Sequence, residues 1–335
     1  MSSFSPDTFK PLLEKLVKTP EYFSPDDIRL ALEHIFTPDA VLPVQIGSFL
    51  TALHLQMFLR ERALKAAIED ADVDFVVDIV GTGGDGHNTF NVSTTAAIVA
   101  AGAGARVIKH GSRASTSSSG SADLLQSLGC LFTPPTPGTP MPIANIPFTF
   151  ILAPHYHPAL AFIAPYRKAL PFRTMFNVLG PLINPACPKG MVVGVAEPEL
   201  GRALVVCGAE KLDEISCAGN TDAWELRDGQ ITKLTLHPSS FGLKTHSLAD
   251  VAGGTPTENA ETFKQLLTSG ENIPEKLTPH LDFVLLNAAA LLVVSGVAKD
   301  FVEGVALGRK SITSGKAWEA LQLFRKAGED ASAAI

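Results

Sequence analysis

The run Phe75-Val76-Val77-Asp78-Ile79-Val80 leads straight into Gly81-Thr82-Gly83-Gly84-Asp85-Gly86, and no other stretch constrains the fold as much. A short β-branched run ending in glycines reads as a buried strand feeding a loop. Ser93 to Ala103 follows as a helix of small residues, and Ala105-Arg106-Val107-Ile108 as the next strand. This strand–loop–helix–strand unit is of the α/β kind. Further strands are expected at Phe148–Leu152, Val192–Val195, Leu204–Val206, Glu214–Ser216 and Trp224–Leu226. Further helices are expected at Ala122–Leu128, Glu258–Leu267, Phe283–Val294 and Ala317–Phe324.

Residues 1–70 read as helical instead. Ser5-Pro6-Asp7 and Ser24-Pro25-Asp26 each set a capping serine before an N1 proline and a first-turn acid. Phe9, Leu12, Leu13 and Leu16 recur at helical spacing, as do Ile28, Ala31, Leu32 and Ile35. Thr37-Pro38-Asp39 opens a third segment whose apolar run, through Phe49, Leu53 and Met57, exceeds what one amphipathic face needs. Such a helical unit packs either on a partner subunit or on its own second domain. Thr133 to Pro147 holds six prolines and reads as an extended surface connection.

Composition removes several functional classes. A net charge of −7 excludes a general nucleic-acid binder, so any anionic ligand must be met by a local cluster of donors. Cys130, Cys187, Cys207 and Cys217 lie far apart with no C-x-x-C spacing, which reads as buried free thiols in a reducing compartment. The N-terminus lacks a signal or transit pattern, and apolar runs such as Leu285 to Val294 are too short to span a bilayer. A soluble, cytoplasmic protein is expected, with no membrane or nucleic-acid partner.

Gly81, Gly83 and Gly86 satisfy the G-x-G-x-x-G spacing of a dinucleotide-binding turn. That function also needs a helix opening directly from the glycines and an acid at the end of the next strand. Here His87 to Ser93 intervene, and the next strand ends in Ile108-Lys109-His110. The glycines instead suit close approach of backbone amides to an anion. Asn91-Val92-Ser93-Thr94 places polar residues at a helix N-terminus, a second anion site. Lys109 and Arg113 then lie in or beside a hydroxyl-rich tract that runs to Ser121, a third. Three such segments within about forty residues suggest a ligand with several phosphates. Beside it, the adjacent acids Asp213 and Glu214 suit a magnesium ion shared with substrate phosphates.

Taken in order, DIVGTGGDG with NTFNVST, the KHG-x-[RK] loop running into SGSAD, APHYHPA, RTMFNVLGPLINP, LDEIS, FGL, LNAAALL and SGKAWEAL resemble the anthranilate phosphoribosyltransferase family, over essentially the whole chain. The resemblance implies a homodimeric, magnesium-dependent enzyme of tryptophan biosynthesis. Its substrates are anthranilate and phosphoribosyl pyrophosphate, and its products N-(5-phosphoribosyl)anthranilate and pyrophosphate. The implied fold pairs a small all-helical domain (1–70, joined by returning helices near 158–182, and carrying the dimer contact) with a larger α/β domain (71–157 and 183–335).

By matching position, Gly81, Gly84, Asp85, Thr89, Asn91, Val92, Ser93 and Thr94 would hold pyrophosphate and ribose. Lys109, Arg113, Thr116, Ser117 and Ser121 would add phosphate contacts, and Ser93, Asp213 and Glu214 would bind Mg2+. Arg167 would pair with the anthranilate carboxylate, with Gly81, His110 and Ser112 bordering that site. His110 is the one candidate acid–base group. The chain departs from the family pattern at Ser112, commonly asparagine, at Ser118, often lysine, and in the proline-rich segment, usually a short helix. A pyrimidine nucleoside phosphorylase and a non-catalytic phosphoribosyl-ligand binder are the competing readings.

Overall fold

The computed structural model describes residues 4–18, 24–38, 40–52, 66–68, 74–82, 85–114, 117–135, 141–143, 145–158, 180, 183–195, 204–227 and 230–333. Three helices open the chain: α1 (Pro6–Lys18), α2 (Pro25–Ile35) and α3 (Pro43–Ala52). Ser24 and Asp27 form a reciprocal capping box on α2, the local device its sequence promised. The third helix begins at Pro43, later than Thr37-Pro38-Asp39 suggested, because residues 36–38 turn instead. Phe9, Leu12, Leu16, Ala31, Leu32, Ile35, Ile46 and Phe49 form the core of this layer, with Phe9 edge-on to Phe49 at 5.5 Å between ring centroids. Ile183 joins that core from far along the chain, so the polypeptide between the sheet strands passes back to the helical layer. The remaining apolar run through Leu53 and Met57, and most of the expected returning helices, lie outside the described residues.

The larger unit is built on a seven-stranded sheet. In chain order its strands are β2 (Val76–Gly81), β3 (Arg106–Gly111), β5 (Phe148–Leu152), β6 (Gly190–Gly194), β7 (Leu204–Gly208), β8 (Thr221–Arg227) and β9 (Gln230–Leu236). Their spatial order is β5-β3-β2-β6-β7-β8-β9, parallel through β7 and antiparallel for the last two. Val76 to Val80 are all buried, as a strand covered on both faces requires. A separate parallel pair joins β1 (Ala66–Ile68) to β4 (Met141–Ile143), so the proline-rich connection contains a short two-stranded register.

Helices α4 (Val92–Gly102), α5 (Ser121–Ser127) and α6 (Ala153–Tyr156) interleave with the strands, and α7 (Pro256–Thr268), α8 (Thr278–Val294), α9 (Phe301–Thr313) and α10 (Lys316–Ala333) follow them. The small residues of α4 let α8, α9 and α10 pack closely around it. A Cβ at Gly102 would lie 2.5 Å from the Ala317 backbone nitrogen, and Ser311 donates to the Val99 carbonyl at 2.8 Å. With the turn before it, Glu275–Val294 is long and apolar enough to cross a bilayer, unlike the shorter run read from sequence. Its burial explains the composition: Leu281 to Leu292 are enclosed by the protein's own core.

Two expectations need correction. Glu214–Ser216 is not a strand. After β7 the chain turns through Lys211, at φ +67°, and residues 212–216 fold back over the sheet. Side chains replace strand partners there: Ile215 N donates to Asn287 Oδ1 at 3.1 Å and Ser216 N to Thr221 Oγ1 at 2.9 Å. Cys187 is exposed, whereas Cys130, Cys207 and Cys217 are buried; all four are free thiols. The strands β1, β4 and β9 and the helices α6 and α9 were not foreseen.

Candidate active site

At the carboxyl ends of β2 and β3 lies a polar cleft of about 260 Å³. Strands are added in one direction from β2 through β3 to β5, then on its other side through β6 and β7, and ligands settle where that order reverses. The cleft brings together Gly81, Asp85, Thr89, Asn91, Val92, Ser93, Lys109, His110, Ser112, Arg113, Ser117, Ser121, Asp213 and Glu214. Thr94 does not line it: the side chain is buried one layer back and donates to Ser121 Oγ at 2.9 Å. Gly84, Thr116 and Arg167 lie outside the described residues. A second cavity, of about 180 Å³, sits at the β5 edge among Phe132, Phe150 and Phe324. Its apolar walls do not offer an anion the donors that the cleft does.

Charge is concentrated on one wall of the cleft. The Lys109 ammonium is 1% exposed and donates to the Ile79 carbonyl, with Ser93 Oγ at 3.4 Å. Burial pulls its pKa down, while Asp78, Glu214 and Asp213 pull it up. Glu214 is 8% exposed, and its carboxyl is pushed well above the ordinary range. Desolvation is the main cause, then Asp213; Lys109, Asp85 and the Ser93 hydroxyl contribute less, Lys109 and Ser93 in the opposite sense. Three acids therefore crowd one ammonium. Hard oxygen donors from two carboxylates and a hydroxyl, with negative charge in excess, fit a divalent cation such as magnesium. Asp213, Glu214 and Ser93 are the residues that would hold it.

The glycines serve a purpose that their spacing hid. A Cβ on Gly81 would sit 2.3 Å from Asp213 Oδ2, and one on Gly194 only 1.6 Å from the Asp213 carbonyl oxygen. Bare backbone at the ends of β2 and β6 thus admits the 212–216 loop. Gly194 escaped sequence reasoning because its partner is neither local nor at a motif spacing. Asp78 escaped too, although an acid inside FVVDIV was a readable signal. It is fully buried, receives Asn184 Nδ2 at 2.9 Å and His110 N at 3.3 Å, and burial raises its pKa to about 6.

His110 donates from Nδ1 to the Gly180 carbonyl at 3.1 Å, which leaves Nε2 as an acceptor, buried and without a hydrogen-bond partner among the described residues. Its ring stands edge-on to His157 at 5.1 Å. Burial first, and His157 second, lower its pKa from 6.5 to about 3. Below about pH 6.5 the unfolded chain takes up a proton that the folded chain refuses, so stability falls as pH drops toward 3. His110→Gln is expected to remove this contribution. Thermal melts at about pH 7 and about pH 5 should show the variant losing less stability on acidification than the parent; equal losses would contradict a neutral, buried His110.

The anion loops are held by side chains rather than by the caps expected of them. Asn91 occupies the N-cap position of α4 but makes no cap bond; its Nδ2 donates to the Ser119 carbonyl at 2.8 Å. Arg113 is half exposed and pairs with Asp123 at 3.1 Å and Gln126 at 2.7 Å. Asp123 also accepts from Ala114 N and Gly120 N, closing the serine loop onto the start of α5. Ser118 is not in the cleft wall; its amide donates to Asn88 Oδ1 at 3.0 Å.

Comparison with known proteins identifies the family. Residues 73–318 match the family described as "Glycosyl transferase family, a/b domain", and residues 10–63 match "Glycosyl transferase family, helical bundle domain". The anthranilate phosphoribosyltransferase of Schizosaccharomyces pombe is 45% identical over 326 residues, covering 89% of this chain and 91% of the relative. That of Stenotrophomonas maltophilia is 37% identical, covering 96% and 97%. The Saccharomyces cerevisiae enzyme, solved in complex with PRPP and Mg, superposes with a TM-score of 0.82 at 31% identity, covering 97% of this chain and 99% of that one. The Thermus thermophilus enzyme gives 0.79 at 34% identity, covering 94% and 98%. With both domains matched and identity of 45% over most of its length, this chain belongs to the anthranilate phosphoribosyltransferase family.

Proposed function

We propose that the protein transfers the phosphoribosyl group of phosphoribosyl pyrophosphate to the amine of anthranilate, giving N-(5-phosphoribosyl)anthranilate and pyrophosphate. The observation that carries this reading is one cleft lined jointly by Gly81, the start of α4, Lys109 with the serine loop, and the Asp213–Glu214 pair. The amides around Gly81 and at the start of α4, with Lys109 and the serine loop, cradle the pyrophosphate and ribose phosphate. Asp213, Glu214 and Ser93 would hold magnesium (Mg2+), which when bound would supply positive charge against the leaving pyrophosphate. Donors fixed before the reaction stabilise charge as the C1′–oxygen bond breaks.

Anthranilate then approaches the opposite face of C1′. Its amine is neutral near pH 7, forms the new C–N bond and sheds a proton to water, since burial leaves His110, the one candidate acceptor, with a pKa of about 3. Arg167 orients the substrate through its carboxylate, which reduces the entropic barrier. Arg167→Ala is expected to raise the KM for anthranilate by about ten- to a hundredfold, with little change in that for phosphoribosyl pyrophosphate. Unchanged anthranilate kinetics would remove Arg167 from this role.

The protein works as a cytoplasmic homodimer in this reading. Leu30, Leu42 and Val44 expose apolar side chains on the helical layer, which supports a dimer contact there. One assay tests the activity itself: anthranilate fluorescence followed with magnesium and phosphoribosyl pyrophosphate. Loss of signal is expected. Cleavage of uridine or thymidine by phosphate would mean a phosphorylase, and binding without turnover a non-catalytic binder.

A further inference from the structure

Asn259 lies on the first turn of α7 and is 3% exposed, yet it lines no part of the cleft. Both ends of its amide are engaged. Oδ1 accepts from Gly254 N at 2.8 Å, and Nδ2 donates to Asn91 Oδ1 at 2.8 Å. Asn91 in turn donates to the Ser119 carbonyl at 2.8 Å. Three segments far apart in sequence, the turn before α7, the start of α4 and the serine loop, are thereby linked in one line. A parallel bridge runs beside it: Asn88 Nδ2 donates to the Gly253 carbonyl at 2.8 Å, and Asn88 Oδ1 accepts from Ser118 N.

The base of this line is rigid. Thr255 and Glu258 cap α7 reciprocally, and Phe263, Leu266 and Leu267 bury the helix in the core. Asn91, by contrast, sits at a loop-to-helix junction with no cap bond of its own, and the described residues of the serine loop, 112–114 and 117–120, have no regular structure. Beside the Asp123 and Asn88 anchors of the serine loop, an amide supplied from outside the cleft therefore ties the Asn91 side chain, and through it the Ser119 carbonyl, to α7.

Resting on the reading of the cleft as a phosphoribosyl pyrophosphate site, we infer that Asn259 is a positioning residue for that substrate, acting through Asn91 on the α4 N-terminus and the serine loop. It touches neither substrate. Two variants separate its bonds. Asn259→Asp keeps the acceptor for Gly254 N but has no N–H for Asn91; Asn259→Ala loses both. The KM for each substrate, kcat, and the rise in melting temperature caused by phosphoribosyl pyrophosphate with magnesium are compared with the parent.

Both variants are expected to raise the KM for phosphoribosyl pyrophosphate by about tenfold, the worth of one or two neutral hydrogen bonds. The KM for anthranilate and kcat stay within about twofold, and the ligand-induced rise in melting temperature shrinks. Where Asn259→Ala does not fold, Asn259→Asp, with the same volume and the Gly254 bond, decides. An unchanged KM for phosphoribosyl pyrophosphate, or a lower melting temperature with the ligand-induced rise intact, overturns the inference and leaves Asn259 merely structural. A parent protein that neither turns over nor is stabilised by phosphoribosyl pyrophosphate overturns the proposed function instead.

Discussion

Asp213→Ala combined with Glu214→Ala is expected to abolish magnesium-dependent turnover while the chain still folds. Glu214 is held above its ordinary pKa by burial and by Asp213, so the pair is a cost to the ligand-free protein that a bound cation would offset. Removing it relieves that repulsion. Lys109 loses two of its three acidic neighbours but keeps Asp78 and its bond to the Ile79 carbonyl, so the buried ammonium is not orphaned. Turnover titrated with magnesium, alongside thermal melts, separates the two effects. Parent-level, magnesium-responsive turnover in the double variant would remove the metal role from this pair.

Gly194→Ala should be nearly as damaging although it changes no donor or charge. The new methyl would overlap the Asp213 carbonyl oxygen, at 1.6 Å, and its carbonyl carbon, at 2.3 Å. Backbone cannot rotate aside as a flexible side chain can, so the 212–216 loop must lift from the ends of β2 and β6. Overpacking of this kind costs roughly 1–3 kcal/mol of stability. A displacement on the order of 1 Å at a reacting centre costs about a hundredfold in rate, and that is the loss expected in kcat/KM. The measurement is steady-state kinetics on a variant shown by circular dichroism to be folded. Full activity would mean that the position of Asp213 and Glu214 is not critical.

These two predictions differ in how far the sequence leads to them. The acidic pair was legible beside a polyphosphate-binding pattern, but as the start of a strand. It is a loop because Asn287, on α8, and Thr221 satisfy its amides, and Asn287 is 72 residues beyond Ile215, outside any local window. Gly194 gave no local signal at all. His110 appeared as the acid–base candidate beside Lys109; its neutrality follows from burial first and from His157 second, against the opposing pull of the Gly180 carbonyl, which adjacency in sequence does not convey.

What the sequence by itself determined is what short-range physics controls. Ser24 before Pro25 and Asp27 is enough to cap a helix, and β-branched residues around Asp78 are enough to make a buried strand. The small residues from Ser93 onward make a core helix, and the strand and helix together require a parallel sheet. The glycine turn, the serine tract and the acid pair each suggested a chemistry through residue type. Tertiary structure alone decided their mutual placement. It turned Asn91 from a cap into a tie to Ser119, and put Thr94 behind the wall rather than in it. Gly81 of the opening glycine motif is bare because Asp213 folds over it, a steric demand that exists only once β2 and β6 lie side by side.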